Sequence, residues 1–215
     1  SIDKLLDGNG GFITAAMGNE GDQHIHSQAT LAPGETKYLL VDIDFQTVAS
    51  GEADDEFYTN VDIWGSAADG KKHFEVTPFI YSGGDMLAQT PEFWKKVIDE
   101  SSELGTINPN NKRELHRYFL NIREAWKNAV IPGEEGEEGG TTDDLNMKMG
   151  FKITALADNT KSEHLHVWVD GTGLTAGVNT HPVKGHEAAT LKADDEYITG
   201  EGAASIPRAI AVGAY

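Results

Sequence analysis

Residues 37–81 read KYLLVDIDFQTVASGEADDEFYTNVDIWGSAADGKKHFEVTPFIY, and three runs within them alternate apolar with polar side chains. In the first, Val41, Ile43 and Phe45 point one way while Asp42, Asp44 and Gln46 point the other. The second sets Phe57, Val61 and Ile63 against Asn60 and Asp62, and the third sets Phe74, Val76 and Ile80 against His73, Glu75 and Thr77. A period of two puts successive side chains on opposite faces, so each run reads as a half-buried strand. Gly, Ala, Asp and Lys fill the intervals, the composition of exposed turns, and an antiparallel meander is the simplest topology expected.

The same period returns later in the chain. Met147, Met149, Phe151 and Ile153 alternate with Lys148, Lys152 and Thr154, and Leu165, Val167 and Val169 alternate with His164, His166, Trp168 and Asp170. Ahead of the first run, Leu31-Ala32-Pro33-Gly34-Glu35 is a turn signal. Between the two blocks the period changes. Thr90 as N-cap, Pro91 at the first helical position and Glu92 in the first turn open a helix whose stripe is Phe93, Trp94, Val97 and Ile98. A second helix is expected where Leu115, Phe119, Ile122, Trp126 and Val130 recur at steps of three and four, ended by Pro132 and Gly133. The expected fold is therefore mainly β: an antiparallel β-sandwich or jelly roll with a two-helix insertion at residues 90–131. One domain spanning residues 1–215 is expected. Strands do not alternate with helices, and no Gly-rich phosphate-binding loop motif follows a strand, which argues against dinucleotide and P-loop enzymes.

The chain of 215 residues carries a formal charge of -18. A field of that sign repels nucleic acid and anionic membrane surfaces and favours divalent cations and basic partners. The chain has no cysteine, so disulfides, thiolate metal sites and cysteine catalysis are excluded. It begins at Ser1 with no methionine, signal peptide or apolar run of membrane-spanning length, which fits either a processed secreted protein or an artificially trimmed chain, the first being favoured. An extracellular or cell-surface location is expected.

Three groups of residues could carry function. Within residues 1–21, Gly8, Gly10 and Gly11 form a flexible joint leading into Phe12, Ile13, Thr14, Ala15, Ala16 and Met17, a short uncharged strand able to pair within its own sheet or add to a neighbour's edge. Residues 203–215, mostly small and apolar, read as a closing strand or one that docks on a neighbour. Second, on a strand the i and i+2 side chains share a face, so His24 with His26, and His164 with His166, could each offer two imidazoles to a transition metal. Third, Asp54, Asp55 and Glu56, and Asp194, Asp195 and Glu196, are crowded carboxylates whose repulsion a Ca²⁺ ion would relieve, although neither follows the EF-hand spacing. Polar strand faces and plain solubility are the structural alternatives for the histidines and the acids.

The turn Leu31 to Glu35 leading into a strand, the helical interruption, and the segment LNMKMGFKITAL at residues 145–156 after an acidic Gly/Thr loop together resemble camelysin/TasA-like secreted fibre subunits. Archaeal bundling pilus and cannula subunits have a similar layout. The resemblance implies a jelly-roll subunit that polymerises outside the cell by donating a terminal strand, here residues 11–17, to the next copy. A secreted homopolymer, not an enzyme, with Ca²⁺ bridging its acidic surfaces, is the expectation that follows. A metal-dependent jelly-roll enzyme or carbohydrate-binding module using one His-x-His pair is the alternative, and a viral or phage structural protein a further one.

Overall fold

A computed structural model of the chain describes residues 13–16, 24–43, 58–66, 71–108, 115–123, 147–171, 176–179, 181–193 and 209–212. In chain order its strands are β1 (Ile13–Ala16), β2 (His26–Leu31), β3 (Thr36–Ile43), β4 (Tyr58–Ser66), β5 (Phe74–Ser82) and β6 (Asp85–Leu87). The helix α1 (Pro91–Val97) follows, then β7 (Glu103–Asn108), β8 (Leu115–Arg123), β9 (Lys148–Ala155), β10 (Glu163–Gly171), β11 (Ala176–Val178) and β12 (Ala209–Val212). Two five-stranded sheets, ordered β2-β10-β4-β8-β7 and β11-β3-β9-β5-β6, are antiparallel throughout. Without the outer strands β7 and β11, the order β2-β10-β4-β8 faces β3-β9-β5-β6, which is the double Greek key of a jelly roll.

The alternation read from the sequence fixes the inner faces. Val61, Ile63, Leu165, Val167 and Val169 from the first sheet are buried against Leu39, Val41, Met149, Phe151 and Ile153 from the second. The turn between β2 and β3 forms as its residues require. Glu35 N donates to Ala32 O at 2.9 Å, and Gly34 takes φ 79°, the left-handed value a Pro-Gly type II turn needs. Glu35 Oε2 also accepts from Ala32 N at 2.8 Å, and this bond, helped by Lys37, holds the Glu35 carboxyl below its usual range.

Two expectations are corrected. The first three runs do not form a meander: β4 lies in the first sheet, while β3 and β5 lie in the second and are separated by β9. Each connection crosses from sheet to sheet, because every strand has one apolar face and the opposite sheet is what covers it. The helical insertion is also smaller than expected. Thr90 does cap α1, its Oγ1 accepting from Phe93 N at 3.2 Å, and Phe93 and Val97 are buried. Leu115–Arg123, however, is strand β8, paired along its length with β4. The sequence there satisfies two periods at once. Leu115, Phe119 and Ile122 suit a helix, whereas Tyr118, Leu120 and Ile122 alternate at period two, and it is this second set that is buried. Pairing with strands on both sides decides between them. Trp126 and Val130 lie outside the described residues.

The second sheet also carries an apolar patch on its outer face. Tyr38, Leu40 and Phe79 form a smaller cluster there with Val183, and the segment at residues 181–193 runs across it. His186 stacks on Tyr38 with ring centroids 4.4 Å apart, and Leu191 N donates to Tyr38 O at 2.7 Å. At the centre of this cluster the Phe79 ring lies on the bare backbone of Gly150: a Cβ there would stand 2.3 Å from Phe79 Cζ. Gly150→Ala is accordingly expected to expel Phe79 and destabilise the fold by about 1–3 kcal/mol. A lowered urea midpoint at unchanged m-value would show this, and an unchanged midpoint would mean the ring moves aside freely.

Candidate functional site

The outward face of the first sheet carries the histidines. Along β10 the residues His164, His166 and Trp168 point away from the core, opposite Thr30, Gln28 and His26 of β2 on one side. On the other side, His166 and Trp168 lie opposite Trp64 and Asp62 of β4. Two of these cross-strand pairs bring aromatic rings together. The Trp64 and His166 rings stack at 4.8 Å with 24° between planes, and those of His26 and Trp168 lie 4.0 Å apart at 41°. On the diagonal, His26 Nε2 and His166 Nδ1 share a hydrogen bond of 3.2 Å. His164 stands edge-on to His166 at 4.8 Å, and its Nδ1 is 3.0 Å from Thr30 Oγ1.

The histidine grouping differs from that expected of two separate His-x-His pairs. His24 precedes β2 in a left-handed turn with φ 55°, and its carbonyl accepts from Val178 N. That backbone interrupts the strand alternation on which the expected pairing of His24 with His26 rested. His26 joins His164 and His166 from the neighbouring strand instead. His26 is 1% exposed despite its outward position, and His166 is half-buried, whereas His164 is exposed. Burial, and secondarily the nearby His164, hold His166 below the usual imidazole range, so it is neutral at pH 7.

A second polar group lies at one end of the sandwich, where sequence reasoning missed it. Glu163 shares the inward parity of Leu165 and Val167 and is 3% exposed. His73 Nδ1 donates to its Oε2 at 2.7 Å, tying β10 of one sheet to the start of β5 in the other. Gly65 makes the room, since a Cβ there would stand 2.4 Å from Glu163 Oε1. A charged residue at an inward position of an alternating run was the available signal.

The chain ends form a third group. β1 pairs in parallel with β12, Ile13 opposite Ala209 and Ala16 opposite Val212, in a two-stranded sheet of their own. Of the expected donor segment, Ile13, Thr14, Ala15 and Ala16 are in this ribbon, while Gly11, Phe12 and Met17 lie outside the described residues. The carboxylates expected to take Ca²⁺, Asp54, Asp55, Glu56, Asp194, Asp195 and Glu196, also lie outside them.

No protein-family model matches the chain. An alignment 131 positions long, covering 58% of the chain and 15% of the other protein, is 30% identical to a probable galactinol–sucrose galactosyltransferase of Arabidopsis thaliana. Among solved structures, the CspB protease of Clostridium perfringens superposes with a TM-score of 0.44 at 14% identity, over 100% of this chain and 36% of the protease. The chain thus spans a minor part of either protein. Neither match is a fibre subunit of the camelysin/TasA type, and a superposition at that score carries no functional argument.

The depressed His166 has a consequence for stability. Its proton affinity is lower folded than unfolded, so the unfolded chain takes up the proton first as pH falls. Stability is therefore full above the unfolded value of about 6.5 and declines as pH drops through it toward the folded value. The difference in Tm between pH 7.5 and pH 5.5 should shrink in His166→Gln. An equal difference in both proteins would place the acid sensitivity elsewhere.

Proposed function

We propose that this chain is a structural rather than catalytic subunit that polymerises outside the cell by exchanging its terminal strands between copies. The observation that supports it is the β1–β12 ribbon, which is hydrogen-bonded to neither five-stranded sheet. A parallel pair of four residues contributes little by itself in water, and each strand of a two-stranded sheet keeps one edge of N–H and C=O groups for a further partner. The same pairing made between copies, β1 of one on β12 of the next, preserves every backbone hydrogen bond of the ribbon. Such a contact is heterologous and does not close on itself, so it builds a filament or tube. β-augmentation of a neighbour's edge by β1 belongs to the same reading. In sequence, glycines at positions 8, 10, 11, 18 and 21 flank β1. The net charge of -18 opposes close packing of copies. Ca²⁺ held by the clusters at residues 54–56 and 194–196 would offset that repulsion.

Ala15 and Ala211 are register partners, and the chain has no native cysteine. Mixing Ala15→Cys copies with Ala211→Cys copies under oxidising conditions is expected to give a disulfide between different copies, growing with assembly. Electron microscopy should show filaments or tubes, favoured by millimolar Ca²⁺, for the full chain. Deleting residues 1–17 should leave a folded monomer that forms none. Assembly unchanged by the deletion, or mixed-cysteine copies that never cross-link within assemblies, would reject strand exchange.

A further inference from the structure

The outer face of β2 and β10 gathers three imidazoles, with Asp62 of β4 on the same face opposite Trp168. His26 and His166 bring one nitrogen each to 3.2 Å separation. Two imidazole nitrogens bound to one tetrahedral zinc, at about 2.0–2.1 Å each, stand about 3.3–3.4 Å apart, so the two rings are already at ligand spacing. Trp64 and Trp168 pack on these rings from either side, at 4.8 Å and 4.0 Å, and limit how they can turn. The geometry points to a divalent transition-metal site on this face, with His26 and His166 as its fixed ligands and His164 as its third, for a cation of the zinc, nickel or copper class.

Among the described residues no three His, Cys, Asp or Glu side chains converge on one point as they stand. Two are in place, and the third closes the set. His164 is exposed, and its ring lies 4.8 Å from that of His166, held by a hydrogen bond with Thr30 at the surface. Rotating toward His166 gives up that one exposed bond and gains a metal–nitrogen bond. Without metal, the separation between His26 and His166 is filled by a shared N–H···N hydrogen bond. With metal, each ring carries its proton on the nitrogen that faces away from the cation. Ligation uses the neutral imidazole, which is the form burial already imposes on His166.

The ligand set also selects the ion. Three nitrogens suit borderline cations, whereas Ca²⁺ and Mg²⁺ require oxygen donors. The overall negative field raises the local concentration of any divalent cation without choosing among them. The choice is made by the histidines. Because the site lies on the sandwich and not on the terminal strands, it stands or falls independently of polymerisation.

Equilibrium dialysis of the full chain, stripped with EDTA and held in millimolar Ca²⁺ to occupy carboxylates, tests it against ZnCl₂ or NiCl₂. One equivalent retained by the wild type is the expected result. His166→Gln should abolish that binding. His164→Gln, at an exposed position where the fold is not at stake, should weaken it by about tenfold or more, the loss seen even for outer-shell partners of metal sites. Nickel quenching of tryptophan emission should follow the same order, since Trp64 and Trp168 lie against the ligands. No retained zinc or nickel in the presence of Ca²⁺, or wild-type affinity in the His164→Gln variant, would overturn the site.

Discussion

Two strands from the second half of the chain hold the first half together. β9 lies between β3 and β5, and β10 lies between β2 and β4. None of β2, β3, β4 and β5 is hydrogen-bonded to another of these four. Before residues 148–171 are in place, β4 can pair only with β8 and β5 only with β6, while β2 and β3 have no earlier strand to join. Completing either sheet therefore requires pairing of residues 67 to 142 positions apart. Loop closure is paid before contacts compensate it, which makes slow folding the physical expectation for this topology.

The same insertion shapes both outer faces. In the second sheet it sets Gly150 of β9 between Leu40 of β3 and Phe79 of β5. The missing side chain lets the Phe79 ring lie on the backbone, and the segment at residues 181–193 completes the cover with Val183 and His186. In the first sheet it sets His166 and Trp168 of β10 between Gln28 and His26 of β2 and Trp64 and Asp62 of β4. One outer face gains an apolar patch and the other an array of imidazoles and indoles. The difference lies in the residues at the outward positions, since the backbone arrangement of the two sheets is alike.

Buried polar groups follow the same logic. Glu163 occupies an inward position and is held by His73 across the gap between sheets, in space left by Gly65. On the outer side of the second sheet, and in contrast to Glu163, the solvent-accessible Asp42 accepts from Lys148 at 2.5 Å and from Asn179 at 2.6 Å, joining β3, β9 and the end of β11. Each carboxylate thus ties together strands that are distant in sequence. At the inward position of Glu163 a hydrogen-bonded carboxylate is tolerated where an isolated one would not be.

Alternation alone determined much of this protein. It marked β3, β4, β5, β9 and β10, named their core residues, and set the class as a β-sandwich. The turn at Pro33 and Gly34 and the cap at Thr90 were equally legible, because each depends on a few adjacent residues and their backbone angles. What the sequence left open were the partners. The segment from Leu115 carried helical and strand periods together, and only the neighbouring strands β4 and β7 selected one. His24 and His26 looked like a pair, yet a left-handed turn interrupts the alternation at His24 and His26 meets His166 instead. A period of two specifies which way a side chain faces. Which side chains lie beside it on that face is set by strand order and register, and these come from long-range pairing that leaves no local trace in the sequence.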